Sequence, residues 1–154
     1  MKLTNSDYFA QSIIRVLGMM CNLPVKCGEP RVLSEGSPTA DVSGIITFSG
    51  DLVGAVVLTF PEDVGQKIVK RFAEAPPEMQ SPEFLDAIGE LTNMVAGQAK
   101  SRYKGFEASI SIPTVVCGPC HHINRQRRAP WVVLPCECEH GSFILAMSLV
   151  EAVK

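Results

Sequence analysis

Asp86-Ala87-Ile88-Gly89-Glu90-Leu91-Thr92-Asn93-Met94-Val95-Ala96-Gly97 reads as a helix whose two sides carry different chemistry. At about 100° per residue, Leu85, Ile88, Leu91, Val95 and Ala99 gather in one apolar stripe, and Asp86, Glu90, Asn93 and Gly97 gather nearly opposite. The stripe predicts burial against a core, and the far side predicts Glu90 and Asn93 facing solvent together, one turn apart. Gly89 and Gly97 lie beside them, and a glycine inside a helix costs roughly 1 kcal/mol relative to alanine. Close approach by another molecule is one reason to keep them. With Gly89, Thr92, Ala96 and Gly97 around them, Glu90 and Asn93 project from a shallow surface on which a partner could sit. The alternative is a solvated polar helix face that happens to hold a carboxylate and an amide.

Working outward, Ser81-Pro82-Glu83 starts this helix, with Ser81 as N-cap, Pro82 pre-set for the first helical position and Glu83 favoured by the dipole. A preceding helix has Pro61 in its first turn, with Val64, Ile68 and Phe72 repeating every four residues and Pro76-Pro77 closing it. Before that, Val42, Gly44, Ile46 and Phe48 alternate with Ser43, Ile45 and Thr47, and Ser49-Gly50-Asp51 turns the chain into the branched run Leu52 to Phe60, a hairpin. Phe9, Ile13, Val16, Leu17 and Met20 predict an opening helix from about Ser6 to Met20, ended by Asn22 and Pro24. After Gly105, Ala108 to Val116 predicts one strand, bent or edged by Pro113, and Trp131 to Cys138 with Ser142 to Val150 predicts a closing hairpin around Glu139-His140-Gly141. Helix, strands, two helices, strands is the order of an α+β fold, an antiparallel sheet with helices packed on one face.

With 154 residues and no evident linker or repeat, residues 1–154 are expected to form a single domain with a core that needs no disulfides. A net charge of −2 leaves no electrostatic footprint for nucleic acid. The polar start Met1-Lys2-Leu3-Thr4-Asn5-Ser6-Asp7 has no signal-peptide pattern and no run reaches membrane-spanning length, so a cytoplasmic location without membrane insertion is expected. Thiols stay reduced there, so the six cysteines are read as thiols or ligands rather than as disulfides.

An acidic residue, a Glu four positions on, an Asn three further, and small residues ending in Gly resemble the phosphatase motif of the CheC/CheX/FliY family. Asp86, Glu90 and Asn93 fill its marked positions. The resemblance covers nearly the whole chain, including Ile112-Pro113-Thr114-Val115-Val116-Cys117-Gly118 and the terminal strands. CheX proteins carry one copy of the motif and CheC proteins typically two. The first helix here lacks a Glu-x-x-Asn, so CheX is the nearer likeness.

The resemblance implies a CheC/CheX-like fold and an enzyme that hydrolyses the aspartyl phosphate of a CheY-like response regulator in chemotaxis or a related two-component pathway. Phosphoryl transfer relies mostly on positioning and charge stabilisation, so one amide that orients water in line can suffice. Asn93 is the expected amide, its carbonyl accepting from water while its NH2 donates elsewhere. An exposed carboxylate is a poor general base near neutral pH, so Glu90 is expected to anchor the complex by pairing with the regulator's active-site Lys. Asp86 is expected in a helix-shaping or peripheral contact role, with Gly89, Thr92, Ala96 and Gly97 as partner-contact positions. Mg2+ would belong to the regulator, with no cofactor or metal held by this chain. A homodimer joined through edge strands is also implied.

Two other readings remain. One is a non-catalytic module that binds a response regulator without hydrolysing its phosphate. The other is a zinc-dependent interaction domain, because Cys117-x-x-Cys120-His121-His122 and Cys136-x-Cys138-x-His140 supply soft ligands. Against it, Cys136 and Cys138 would lie roughly 7 Å apart along one strand, awkward for a shared ion. Arg125-Gln126-Arg127-Arg128 reads as a solvated loop or an anion-attracting one, and Trp131 as packing against the core or a dimer partner. His121 and His122 have no Ser or Asp close in sequence that would form a nucleophilic triad.

Overall fold

The computed structural model describes residues 2–3, 5–33, 36–73, 78, 81–119, 121–124 and 129–152. In chain order the elements are β1 (Lys2–Leu3), α1 (Ser6–Cys21), β2 (Lys26–Cys27), β3 (Arg31–Leu33), β4 (Val42–Gly50), β5 (Leu52–Phe60), α2 (Glu62–Ala73), α3 (Pro82–Lys100), β6 (Ala108–Ile110), β7 (Thr114–Cys117), β8 (Trp131–Cys138) and β9 (Gly141–Glu151). Every strand pairing is antiparallel. The sheet runs β2-β8-β9-β5-β4-β6, with β3 also on β8, β7 also on β4, and β1 on β9.

Alternation along the strands sorts side chains to two faces. Val42, Ile46 and Phe48 of β4, Val56, Leu58 and Phe60 of β5, and Leu145, Met147 and Leu149 of β9 join the inner faces of α1, α2 and α3 in the main core. This is the expected α+β arrangement. The opposite face holds a smaller cluster of Val57, Trp131, Val133 and Ala146, against which Leu33 and Ile123 pack. Trp131 is therefore a core residue of its own chain.

Local chemistry sets the helix ends. Asn5 Oδ1 accepts from Asp7 N at 3.0 Å, and Asn22 ends α1 in the left-handed region at φ 49° while Leu23 N donates back to Leu17 O at 3.2 Å. Cys21 rather than Met20 completes the buried stripe of α1, because Met20 is exposed. In α2, Val64 and Ile68 are buried. Pro76-Pro77 and Arg125 to Arg128 lie outside the described residues.

The expected single strand over Ala108 to Val116 is two strands, and the break is a β-bulge. Phe48 pairs with Ile110 and Ile45 with Thr114, so Ile46 and Thr47 face the three residues Ser111, Ile112 and Pro113. No helix among the described residues is long and apolar enough to cross a membrane.

Candidate functional site

Ser81 Oγ accepts from Phe84 N at 3.2 Å and Pro82 opens α3, which then buries Phe84, Ala87, Ile88, Leu91, Val95 and Ala99. Asp86, Glu90 and Asn93 are exposed on the other side. Among the described residues none of the three side chains is engaged in a hydrogen bond or ion pair. They form one wall of an open groove of about 550 Å³, whose other wall is Ile110, Ser111, Ile112 and Pro113.

The bulge builds that second wall. Ser111 is tied to β4 at both ends: its N donates to Thr47 O and its Oγ accepts from Thr47 N, each at 2.9 Å. Pro113 wedges against α3, where a Cβ at Gly89 would stand 3.2 Å from Pro113 Cγ and 3.4 Å from Val115 Cγ2. Held on both sides, the chain turns Ile112 outward, 86% exposed, beside the acidic pair of the groove. No sequence pattern marked Ser111 and Ile112 as groove residues. A Pro inside an alternating run was the available signal, and bulges re-aim side chains near functional sites.

Three of the expected partner-contact positions are corrected. Gly89, Thr92 and Ala96 are buried by the protein itself. Gly89 admits Pro113, and Thr92 lies over β4, where its Oγ1 donates to Ile88 O at 2.7 Å. A Cβ at Gly44 would stand 2.0 Å from that Oγ1, so glycine in β4 is what lets α3 settle onto the sheet. Gly97 is half-buried with open space where a Cβ would be, so it stays at the surface with Asp86, Glu90 and Asn93.

Topology counts against the zinc alternative. Cys117 in β7 is separated from Cys136 and Cys138 in β8 by four interstrand steps, roughly 19 Å at about 4.8 Å each. Cys120 lies outside the described residues, and among the described residues no group of His, Cys, Asp or Glu could hold a metal ion. His140 Nε2 lies 3.4 Å from Arg71 Nη1, away from Cys117.

The fold does bring a serine to His121. Ser43 Oγ lies 2.7 Å from His121 Nε2, and His121 Nδ1 lies 2.6 Å from Gly118 O, a carbonyl that can only accept, so Nδ1 carries a proton. Ser43 is fully buried and its Oγ also lies 2.9 Å from Thr59 Oγ1. No substrate reaches such a hydroxyl, and the contact instead fastens the segment after β7 to β4 and β5.

Residues 42–137 match the protein family described as chemotaxis phosphatase CheX. Among solved structures the chain is similar to a chemotaxis protein CheX from Desulfovibrio desulfuricans, at 26% identity over 94% of this chain and 98% of that one, TM-score 0.85. A CheC-like superfamily protein from Shewanella sp. PV-4 is 31% identical over 96% and 99% of the two chains, TM-score 0.83. The fold is also shared with CheX in a CheX-CheY-BeF3-Mg2+ complex from Borrelia burgdorferi, at 18% identity over 97% and 100%, TM-score 0.78. A search of curated proteins finds no match.

Proposed function

Since the chain belongs to the CheX family of chemotaxis phosphatases, we propose that it hydrolyses the aspartyl phosphate of a CheY-like response regulator, with Asn93 and Glu90 as the acting side chains. The observation that carries this is the groove of Asp86, Glu90 and Asn93, where an amide and a carboxylate one turn apart stand exposed on a helix backed by the core.

On docking, α3 enters the regulator's phosphorylated pocket. Glu90 pairs with a lysine there and sets the register. Asn93 accepts a hydrogen bond from water and aims its oxygen at phosphorus opposite the aspartyl oxygen. The P–O bond to water forms as the bond to the carboxylate breaks, leaving free aspartate and inorganic phosphate that takes up the water's proton. Phosphoryl charge is met by Mg2+ on the regulator, so this chain contributes positioning alone. The partner is supported by the regulator-bound state of the Borrelia relative, and phosphate hydrolysis by the family.

The protein is taken to act in the cytoplasm as a homodimer joined at edge strands. Val32 on the edge strand β3, 63% exposed, is an apolar side chain available to such a contact. The test follows phosphate loss from a phosphorylated regulator of the same cell. Asn93→Ala should abolish acceleration with folding and regulator binding intact, and Glu90→Ala should weaken binding as well. Equal acceleration by all three proteins overturns the assignment.

A further inference from the structure

Away from the groove, at the opposite edge of the sheet, Cys27 of β2 and Cys136 of β8 are directly opposed partners. Their row is of a particular kind. Gly28 N donates to Pro135 O at 2.8 Å, so Gly28 and Pro135 form the hydrogen-bonded row and the next row, Cys27 with Cys136, is the non-hydrogen-bonded one. In such rows the Cα atoms stand about 4.5 Å apart and the side chains are at their closest, inside the roughly 4.4–6.8 Å span that disulfides bridge. Both side chains lie on the helix-bearing face, Cys136 within the core and Cys27 packed against it.

The two thiols also differ in access. Cys27 is half-buried, with Sγ 4.0 Å from Ala10 O, whereas Cys136 is 2% exposed with Sγ 3.5 Å from Leu134 O. A hydrogen bond from Cys136 lowers the Cys27 thiol below its usual value, while that bond and burial push Cys136 up. A small oxidant therefore meets a reactive sulfur first and finds a second sulfur behind it.

We propose that Cys27 and Cys136 are a reversible oxidation site, forming a disulfide that staples β2 to β8 when the cell meets a peroxide. The Cys27 thiolate attacks one oxygen of hydrogen peroxide; the O–O bond breaks and the departing hydroxide takes up a proton, leaving Cys27 sulfenic acid and water. The Cys136 sulfur then attacks the Cys27 sulfur; the S–O bond breaks, and the hydroxyl leaves with the thiol proton as a second water. Two thiols lose two electrons and peroxide gains them. A dithiol reductant reverses the bridge by exchange.

Cys138 is the nearest alternative, two residues along the same strand, but it is level with Gly141 of β9 rather than with a cysteine. Cys21 is buried with its thiol pushed up to about 11 by that burial, which makes it inert.

The test treats the purified full chain with hydrogen peroxide, blocks remaining thiols by alkylation and maps the tryptic peptides. A linked Cys27–Cys136 peptide is expected, restored to two free thiols by dithiothreitol. It should vanish in Cys27→Ser and persist in Cys138→Ser. The half-buried site makes Cys27→Ser a mild change, and its unaltered circular dichroism excludes misfolding as the cause. Oxidation should also raise the melting temperature of the wild type and not of Cys27→Ser. Cys27 recovered as sulfinic or sulfonic acid, linked to Cys138 or to a second chain, or still alkylatable after treatment overturns the proposal. The readout is independent of phosphatase activity.

Discussion

Gly44→Ala is the sharpest perturbation of the packing beneath the site. The new methyl carbon would stand 2.0 Å from Thr92 Oγ1 and 3.0 Å from Thr92 Cβ. Thr92 has little room to yield, being fully buried, β-branched within a helix and bonded to Ile88 O at 2.7 Å. Either α3 lifts from β4 or Thr92 gives up its bond. Overpacking costs about 1–3 kcal/mol and a lost buried hydrogen bond adds about 1 kcal/mol. The expected destabilisation is therefore about 2–4 kcal/mol, a fall in melting temperature of roughly 5–15 °C for a domain of this size. Urea unfolding followed by circular dichroism measures it, with the slope unchanged. Thr92→Ala removes the clashing oxygen, so the double variant should regain at least about 1 kcal/mol relative to the sum of the singles. The sign is diagnostic, because alanine in a strand with room for it is favoured over glycine by about 0.5–1 kcal/mol. A Gly44→Ala protein as stable as wild type, or singles that simply add, would refute the close-approach explanation.

The two glycines of α3 should behave oppositely: Gly97→Ala, with open space for its methyl, should stabilise by up to about 1 kcal/mol in urea titrations, while Gly89→Ala, facing Pro113 at 3.2 Å, should not. If Gly97 touches the regulator, the same stabilised variant should lose phosphatase rate. Ile112→Asp should leave stability within about 0.5 kcal/mol, as for an exposed position, yet weaken regulator binding about tenfold or more in titration calorimetry, since it removes an apolar contact and adds charge beside Asp86 and Glu90. Glu139 is hydrogen-bonded to Arg71 at 2.6 Å, which lowers its carboxyl below the usual range. A carboxyl lowered by folding stabilises above its unfolded value, about 4.3, and loses that contribution as pH falls through its folded value. The stability gap between wild type and Glu139→Gln should therefore be open at neutral pH and close in acid, as thermal melts at several pH values will show.

Local rules made much of this protein readable. Ser81-Pro82, the four-residue spacing of Val64 and Ile68, and the alternation of Val42 to Phe48 each encode an element through nearest-neighbour physics, and α3, α2 and the β4–β5 hairpin follow them. The exposed side of α3 was legible for the same reason: helical periodicity alone puts Glu90 and Asn93 together. What failed depends on which element lies across the way. Gly89, Thr92 and Ala96 are near the polar stripe on a wheel, yet all three are buried, and for Gly89 and Thr92 it is Pro113 and Gly44 opposite them that decide it. The pairing of Ser43 with His121 and the separation of Cys117 from Cys136 likewise follow from strand order, which no local pattern encodes.

Close packing in α3 lies directly beside two of its exposed residues, and the proposed chemistry gives a reason. An enzyme that contributes only positioning has no strong acid, base or metal with which to offset an error, and a misplacement of about 1 Å can cost a hundredfold in rate. Asn93 sits one residue after Thr92, whose oxygen fills the space left by Gly44, and Glu90 sits one residue after Gly89, which closes on Pro113. Each side chain proposed to act thus follows a residue locked against a different part of the sheet, β4 in one case and the β6–β7 bulge in the other. Two such locks, three residues apart, fix both the height of the helix above the sheet and its rotation. Relaxing either lock should therefore reduce the catalytic rate more than regulator affinity, even where the protein remains folded.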